Sequence, residues 1–296
     1  MACLKDMLKG MRREILQPAK RLRFGVRTQH LAEALRRFLP SPAASGTLDD
    51  RDLDVLNWRA ALSTAFCGLM RAAEVALQPG EVWHPELHLS RADVTFHRSP
   101  SGGRYAVVMM RVVKNGKQMR GKTVPLTLAG GGSLIDPVEA LWRLVTQDPV
   151  PEELKASTPL FRLRSRGSVA SLTVAQVRDE VKRLMALLGL DPARFGAHSL
   201  RIGGATAAAA AGVPPSVIRM CGRWNSDVFE IYTRITHQAA ARMTCTIGST
   251  AFEDLERGEF HSEELELLPS EMHGVDRMTF HDPLPAEEDD FEEDEF

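Results

Sequence analysis

Two rhythms of apolar residues divide the chain, one at three- and four-residue spacing and one of alternation. Arg51 to Leu77 carries Val55, Trp58, Leu62, Phe66 and Leu69 at helical spacing. This predicts one helix, with Thr47 or Asp49 as its N-cap and Pro79-Gly80 as its stop. Residues 92–128 change character. Tyr105–Val113 and Lys122–Leu128 are rich in β-formers around KNGKQMRG, which predicts a hairpin. Asp136–Val145 returns to helix with Pro137 at a permitted first-turn position, and a Pro-rich loop follows at 148–159. TVAQ at 173–176 resembles a capping box and opens a helix to about Leu188. Ser199–Ala211 is a glycine/alanine helix, with Gly212 as its C-cap, and Pro214-Pro215 starts another short helix. No internal repeat is visible. The fold class expected is mainly α with a small antiparallel β-sheet or hairpin, an α+β arrangement.

Composition changes the picture only once it is divided along the chain. The 296 residues are 44% hydrophobic, ordinary for a globular chain with a real core. No apolar run approaches the roughly 18 residues of a membrane span, so no membrane association is expected. The stretch MACLKDMLKGMRREILQPAKRLR lacks the apolar centre of a signal peptide. Cys3, Cys67, Cys221 and Cys245 are scattered, without CxxC or metal-ligand spacing, and read as free thiols in a reducing compartment. The net charge of −2 conceals a strong sorting. Residues 252–296 hold 18 Asp/Glu against two Lys/Arg, whereas residues 1–251 hold 35 Lys/Arg against 21 Asp/Glu. A basic body suits a polyanion, DNA or RNA. From about residue 269 the acidic tail has little to bury and is expected to be disordered.

Several residues carry candidate chemistry, each with an ordinary structural explanation beside it. His198 and Arg201, three apart at a helix N-terminus, share a face where free backbone N–H groups and the dipole favour an anion such as phosphate. They would equally suit a packing helix with a surface histidine. Tyr232 can be packing or a covalent nucleophile, and Trp224, eight residues before it, can be packing or a donor. Arg71 lies in an apolar stretch, where a guanidinium needs an anion or a partner; Glu74, one turn on, could be that partner. Lys114, beside the predicted hairpin tip, could be a solvated lysine or an acid.

Taken in order, Arg71, Lys114, His198-x-x-Arg201, Trp224 and Tyr232 resemble the tyrosine recombinase (phage-integrase) family. GLMRAAEV is similar to its first-arginine helix with the glutamate, LSRADVTF to the strand that follows and KNGKQMRGKTVPL to its lysine hairpin. AHSLRIGGATAAAAAGVPPSVIRMCGRWNSDVFEIYTRI resembles the second half of the catalytic domain. The resemblance covers about residues 45–240, and the Gly-Arg-Trp form is similar to recombinases of eukaryotic mobile elements. It implies that the Tyr232 hydroxyl attacks a DNA phosphodiester, giving a 3′-phosphotyrosine and a free 5′-hydroxyl. Arg71 and Arg201 would clamp the non-bridging oxygens, Lys114 would protonate the leaving oxygen, and His198 would bond the phosphate and assist proton transfer. Trp224 would pack behind the site, and Glu74 would hold Arg71. Lys117, Arg120, Lys122 and Arg223 would contact DNA; Lys117 and Lys122 also compete with Lys114 for the acid role. No metal, ATP or other cofactor is implied.

This reading divides the chain into a short basic segment (1–45), a catalytic domain (46–245), a docking segment (246–268) and the acidic tail (269–296). The family's N-terminal clamping domain has no counterpart among these segments. The tail departs from the family pattern; it reads first as a solvated segment without function, and otherwise as a DNA mimic lying on the basic face or a binder of basic partners. The expected partner is double-stranded DNA, bound by a homo-oligomer that is a tetramer in the family, in the nucleus if the source is eukaryotic. A catalytically impaired DNA-binding relative and a type IB topoisomerase-like enzyme are the alternatives.

Overall fold

Asp49, one of the two predicted N-caps, opens the central helix. Its carboxylate accepts from the Asp52 amide at 2.8 Å while the Asp52 side chain accepts from the Asp49 amide at 3.3 Å, closing a capping box. The structure, a computed structural model, describes residues 23–43, 47–100, 102–110, 123–165 and 168–224. The helices are α1 (Thr28–Arg37), α2 (Asp50–Cys67), α3 (Ala72–Val75), α4 (Pro137–Gln147), α5 (Val174–Leu187), α6 (Ser199–Ala210) and α7 (Pro215–Gly222). The strands are β1 (Val94–Arg98), β2 (Arg104–Met110), β3 (Val124–Ala129), β4 (Arg162–Ser165) and β5 (Ser168–Ser171). The chain is mainly α with small antiparallel sheets. No described helix is long and apolar enough to cross a membrane.

β1, β2 and β3 form one antiparallel sheet, and β4 pairs with β5 in a second. Alternation sets the inner face of the first sheet. Ala106 pairs with Leu128 and Val108 with Leu126, and all four are buried. α2 runs through the middle, packed against α4, α6 and β4. Asn57 on its buried face donates to the Leu53 carbonyl and accepts from the Arg162 amide, stitching β4 to the helix. The β4–β5 hairpin is also held by Asp148. This buried carboxylate takes Arg91, Arg162 and Arg164, each at 2.7 Å. Beyond β5, Leu77 and Thr173 form a parallel bridge that ties the segment after α3 to the start of α5.

The structure revises three expectations. The predicted helix from Arg51 to Leu77 is broken. α2 ends at Gly68, where a Cβ would lie 2.7 Å from both a Leu126 methyl and the Thr64 carbonyl oxygen. Leu69 then turns through a φ of +49°, and Arg71 precedes α3 instead of lying inside a helix. The described part of the basic segment is not separate either. It forms α1, and Val26, Leu31, Ala34, Leu35 and Leu39 share the core of α2 and α5, so the core shows no boundary at residue 45. Ala211, not Gly212, is the C-cap of α6, with Gly212 following at a φ of +79°. Lys114, Lys117, Arg120, Lys122, Tyr232, the docking segment and the acidic tail lie outside the described residues.

α6 is closely gripped, and its small residues are the reason. A Cβ on Gly203 would lie 1.9 Å from the Val26 carbonyl oxygen, and one on Gly204 would lie 2.2 Å from that of Phe66. Backbone therefore touches backbone on two sides. The Val26 amide donates to the Ser199 carbonyl at 2.8 Å, and the Phe24 amide to that of Arg194 at 2.8 Å. Ser199 to Thr206 are all buried. Gly203→Ala should destabilise the protein by about 2–3 kcal/mol, since either α6 or the 23–26 strap must move. Chemical denaturation reads this directly, and an unchanged midpoint would refute the close approach.

Candidate active site

The residues at the site come from three places far apart in sequence. The turn after α2 brings Gly68, Leu69 and Arg71. α3 brings Glu74. The N-terminus of α6 brings His198 and Arg201, and the end of α7 brings Gly222, Arg223 and Trp224. Of the sequence-predicted set, the structure thus assembles Arg71, Glu74, Arg201, Arg223 and Trp224, with His198 one turn from Arg201 at the N-cap of α6.

Arg201 is the pivot. Its guanidinium has no exposed surface, and burial of that kind requires partners. One nitrogen donates to the Leu69 carbonyl at 2.5 Å and another to the Gly222 carbonyl at 2.7 Å. The guanidinium carbon sits 4.0 Å from the centroid of the Trp224 ring, a cation–π contact. Two backbone choices make that stack possible. Gly222 is bare where the ring lies, since a Cβ there would fall 1.6 Å from a ring carbon. Arg223 turns through a φ of +59°, which folds Trp224 back over the helix end. The Trp224 amide reaches the Arg219 carbonyl and the Arg223 amide that of Met220, both at 3.1 Å. This is a Schellman-type ending in which arginine occupies the position glycine usually takes.

Arg71 is held by Glu74. The carboxylate accepts from the Arg71 amide at 2.8 Å, which caps α3, and from its guanidinium at 3.1 Å. The same carboxylate takes Arg223 at 2.7 Å. Burial drives the Glu74 carboxyl up, but Arg223, then Arg71 and Arg201, more than offset this and hold it below the usual carboxylate range. Sequence reasoning assigned Arg223 to DNA; here its guanidinium is turned inward, reaching the Cys221 carbonyl at 2.7 Å and the Gly68 and Leu69 carbonyls at 3.4 Å. His198 is buried at 8% exposure and Trp224 at 7%.

The arrangement gathers several guanidinium groups around one carboxylate, with Arg201 fully buried. Arg71 and Arg201 are oriented by fixed protein acceptors, and guanidinium groups engage phosphate oxygens in a fork. Among the described residues no cluster of three or more His, Cys, Asp or Glu could hold a metal. A cavity of about 300 Å³ adjoins the site, with Arg71 and Glu74 at one end and Trp83, Met110, Phe161 and Leu172 along its walls.

The chain matches no family model and no curated protein. In structure it is similar to the XerH site-specific recombinase bound to its palindromic difH substrate in a post-cleavage complex. There the identity is 18% and the TM-score 0.49, over 78% of this chain and 55% of that one. A pre-cleavage XerH complex with difH gives 19% and 0.46, over 76% and 54%. The Tn1549 transposon integrase in complex with transposon right-end DNA gives 14% and 0.45, over 80% and 70%. The chain spans just over half the length of the XerH chains it matches.

Glu74→Gln should destabilise the protein by about 2–3 kcal/mol at pH 7, because two buried guanidiniums lose their carboxylate. A carboxyl with a lowered folded pKa contributes stability above its unfolded pKa and loses it as pH falls through the folded value. The gap between parent and variant should therefore begin to narrow below about pH 4.3, the ordinary glutamate value, and close as pH falls through the lower folded value. Urea denaturation from pH 7 down to pH 3 reads this, and a gap that persists unchanged would contradict the ion-pair role.

Proposed function

We propose that the chain is a DNA breaking–rejoining enzyme, a site-specific recombinase or integrase that acts through a 3′-phosphotyrosine. The observation that carries the reading is that Arg71 is held on the Glu74 carboxylate and Arg201, about 130 residues on, on the Leu69 and Gly222 carbonyls, with Trp224 stacked on Arg201. These are the residue types, in the same order, that the resemblance to tyrosine recombinases singles out.

On this proposal the Tyr232 oxygen forms a bond to the scissile phosphorus while the bond to the 5′-oxygen breaks. Arg71 and Arg201 neutralise the charge that develops on the non-bridging oxygens. Donors fixed by protein acceptors supply several kcal/mol once the phosphate reaches them, and Arg201, which has no exposed surface, must first be uncovered. His198 bonds a phosphate oxygen and takes up the tyrosine proton. A hairpin lysine, Lys114 or one of its neighbours Lys117 and Lys122, protonates the departing 5′-oxygen as general acid. The phosphotyrosine retains the bond energy, so a free 5′-hydroxyl of another strand can attack it and complete the exchange without ATP. The substrate is double-stranded DNA, with Arg120 and the other basic side chains of the hairpin on its backbone and further copies of the chain beside it.

The test is covalent trapping. Full-length protein is incubated with a random-site library of duplexes, each nicked so that the short leaving strand diffuses away. A protein–DNA adduct stable to detergent is expected, and Tyr232→Phe should reduce its yield by at least about 10³-fold while leaving DNA binding intact. Binding without any adduct from the parent would overturn the proposal in favour of a DNA-binding relative that no longer cleaves. Relaxation of supercoils without exchange between duplexes would favour a topoisomerase.

A further inference from the structure

We infer that Arg223 is a positioning residue of this site, a side chain that braces the acceptors of both arginines of the proposed phosphate clamp. The inference rests on the recombinase reading for its meaning, but on geometry for its content.

The first observation is backbone strain. Among the described residues only two that are not glycine have positive φ, Leu69 at +49° and Arg223 at +59°. A left-handed conformation costs a residue with a side chain about 1–2 kcal/mol. At a helix C-terminus glycine is the usual solution. Both strained residues lie in the same site and touch each other, since the Arg223 guanidinium reaches the Leu69 carbonyl. The strain at 223 is tolerated for the sake of what the arginine side chain does there.

The second observation is what that side chain spans. Glu74 is the carboxylate that holds Arg71, and the Leu69 carbonyl is an acceptor that holds Arg201. Arg223 bonds both. It meets the two Glu74 oxygens at 2.7 and 3.4 Å and the Leu69 carbonyl at 3.4 Å. Its own carbonyl accepts from the Arg71 guanidinium at 3.5 Å. Only a planar fork with donors on several edges reaches a carboxylate and three backbone carbonyls at once; a lysine presents one point. The next residue, Trp224, closes the arrangement from the other side by stacking on Arg201. The Gly-Arg-Trp run therefore acts as a unit. Gly222 leaves room for the ring, Arg223 spans the anchors, and Trp224 covers the pivot.

The experiment compares Arg223→Gly and Arg223→Lys with the parent chain on the nicked duplex, measuring DNA affinity and the single-turnover rate of adduct formation separately. Glycine accepts the left-handed backbone, so Arg223→Gly keeps the turn while losing the fork; circular dichroism checks that it is folded. Affinity should stay within about threefold while adduct formation slows by about 10²-fold, the loss expected when one oriented donor set is misplaced. Arg223→Lys should recover less than tenfold of that rate. If Arg223 works through Glu74, the double variant Arg223→Gly/Glu74→Gln should be no slower than the slower of its two single variants. The double variant also restores the net charge of the parent, so a return to the parent rate would show that charge balance, not positioning, matters, and would overturn the inference. A rate for Arg223→Gly within threefold of the parent would overturn it too, as would full rescue by lysine or a loss confined to affinity. A parent chain that forms no adduct would refute the recombinase reading. The claim about geometry would then be decided by a denaturation double-mutant cycle between positions 74 and 223, where strictly additive effects would refute it.

Discussion

The carbonyl oxygen of Leu69 is where the site is tied together. Leu69 sits in a left-handed turn that helix α2 cannot continue through, and this aims its carbonyl at the N-terminus of α6 and the end of α7. A buried guanidinium with no acceptor would cost several kcal/mol, so Arg201 can be fully buried only where backbone oxygens meet it. The break in the helix provides one such oxygen and the last residue of α7 the other. If α2 ran straight on, the Leu69 carbonyl would accept from its own helix instead of from Arg201, and Arg71 would not stand at the N-cap of α3.

The rest of the fold keeps that turn and its partners still. α6 is pressed between the 23–26 strap and the end of α2 with no side chain between the backbones. Side chains in such a contact have little freedom to rearrange, because close-packed interiors transmit displacement instead of absorbing it. On the far side, the Asp148 node and the Leu77–Thr173 bridge hold the segment that follows Glu74. Asp148 is held below the usual carboxylate range: burial pushes it up, but Arg162, Arg91 and Arg164 outweigh that. That node shares no residue with the candidate active site, yet it anchors the hairpin that leads into the bridge.

Much of this was legible in the sequence, and the parts that were not have physical reasons. Local rules located the helix starts, since Asp49, Asp136 and Thr173 all cap the helices they were expected to open. The glycine and alanine content of α6 is matched by backbone contact at Gly203 and Gly204. The break at Leu69 was invisible because Leu69 and Met70 continue the apolar rhythm, and only Gly68 hinted at a stop. The β4–β5 hairpin was missed because RLRSRGSVAS shows no apolar alternation; its strands are held by Asp148, Asp54 and Asn57 from distant positions. α1 was hidden by the basic composition around it, although Leu31, Ala34 and Leu35 do recur at helical spacing. Arg223 read as a cation facing DNA because nothing local says that a non-glycine residue will adopt a left-handed turn.

The hydrogen bonds that join residues 68–74 to the later part of the site span 132 to 155 positions. Local contacts form first as a chain folds, and distant ones wait for loop closure. During synthesis the N-terminal parts emerge first. The turn at Leu69 and the helix behind it can therefore be in place long before their partners exist. Arg201, Gly222, Arg223 and Trp224 are then the last of the described site residues to arrive, and an unfinished chain has half of the candidate site with none of the groups that close it.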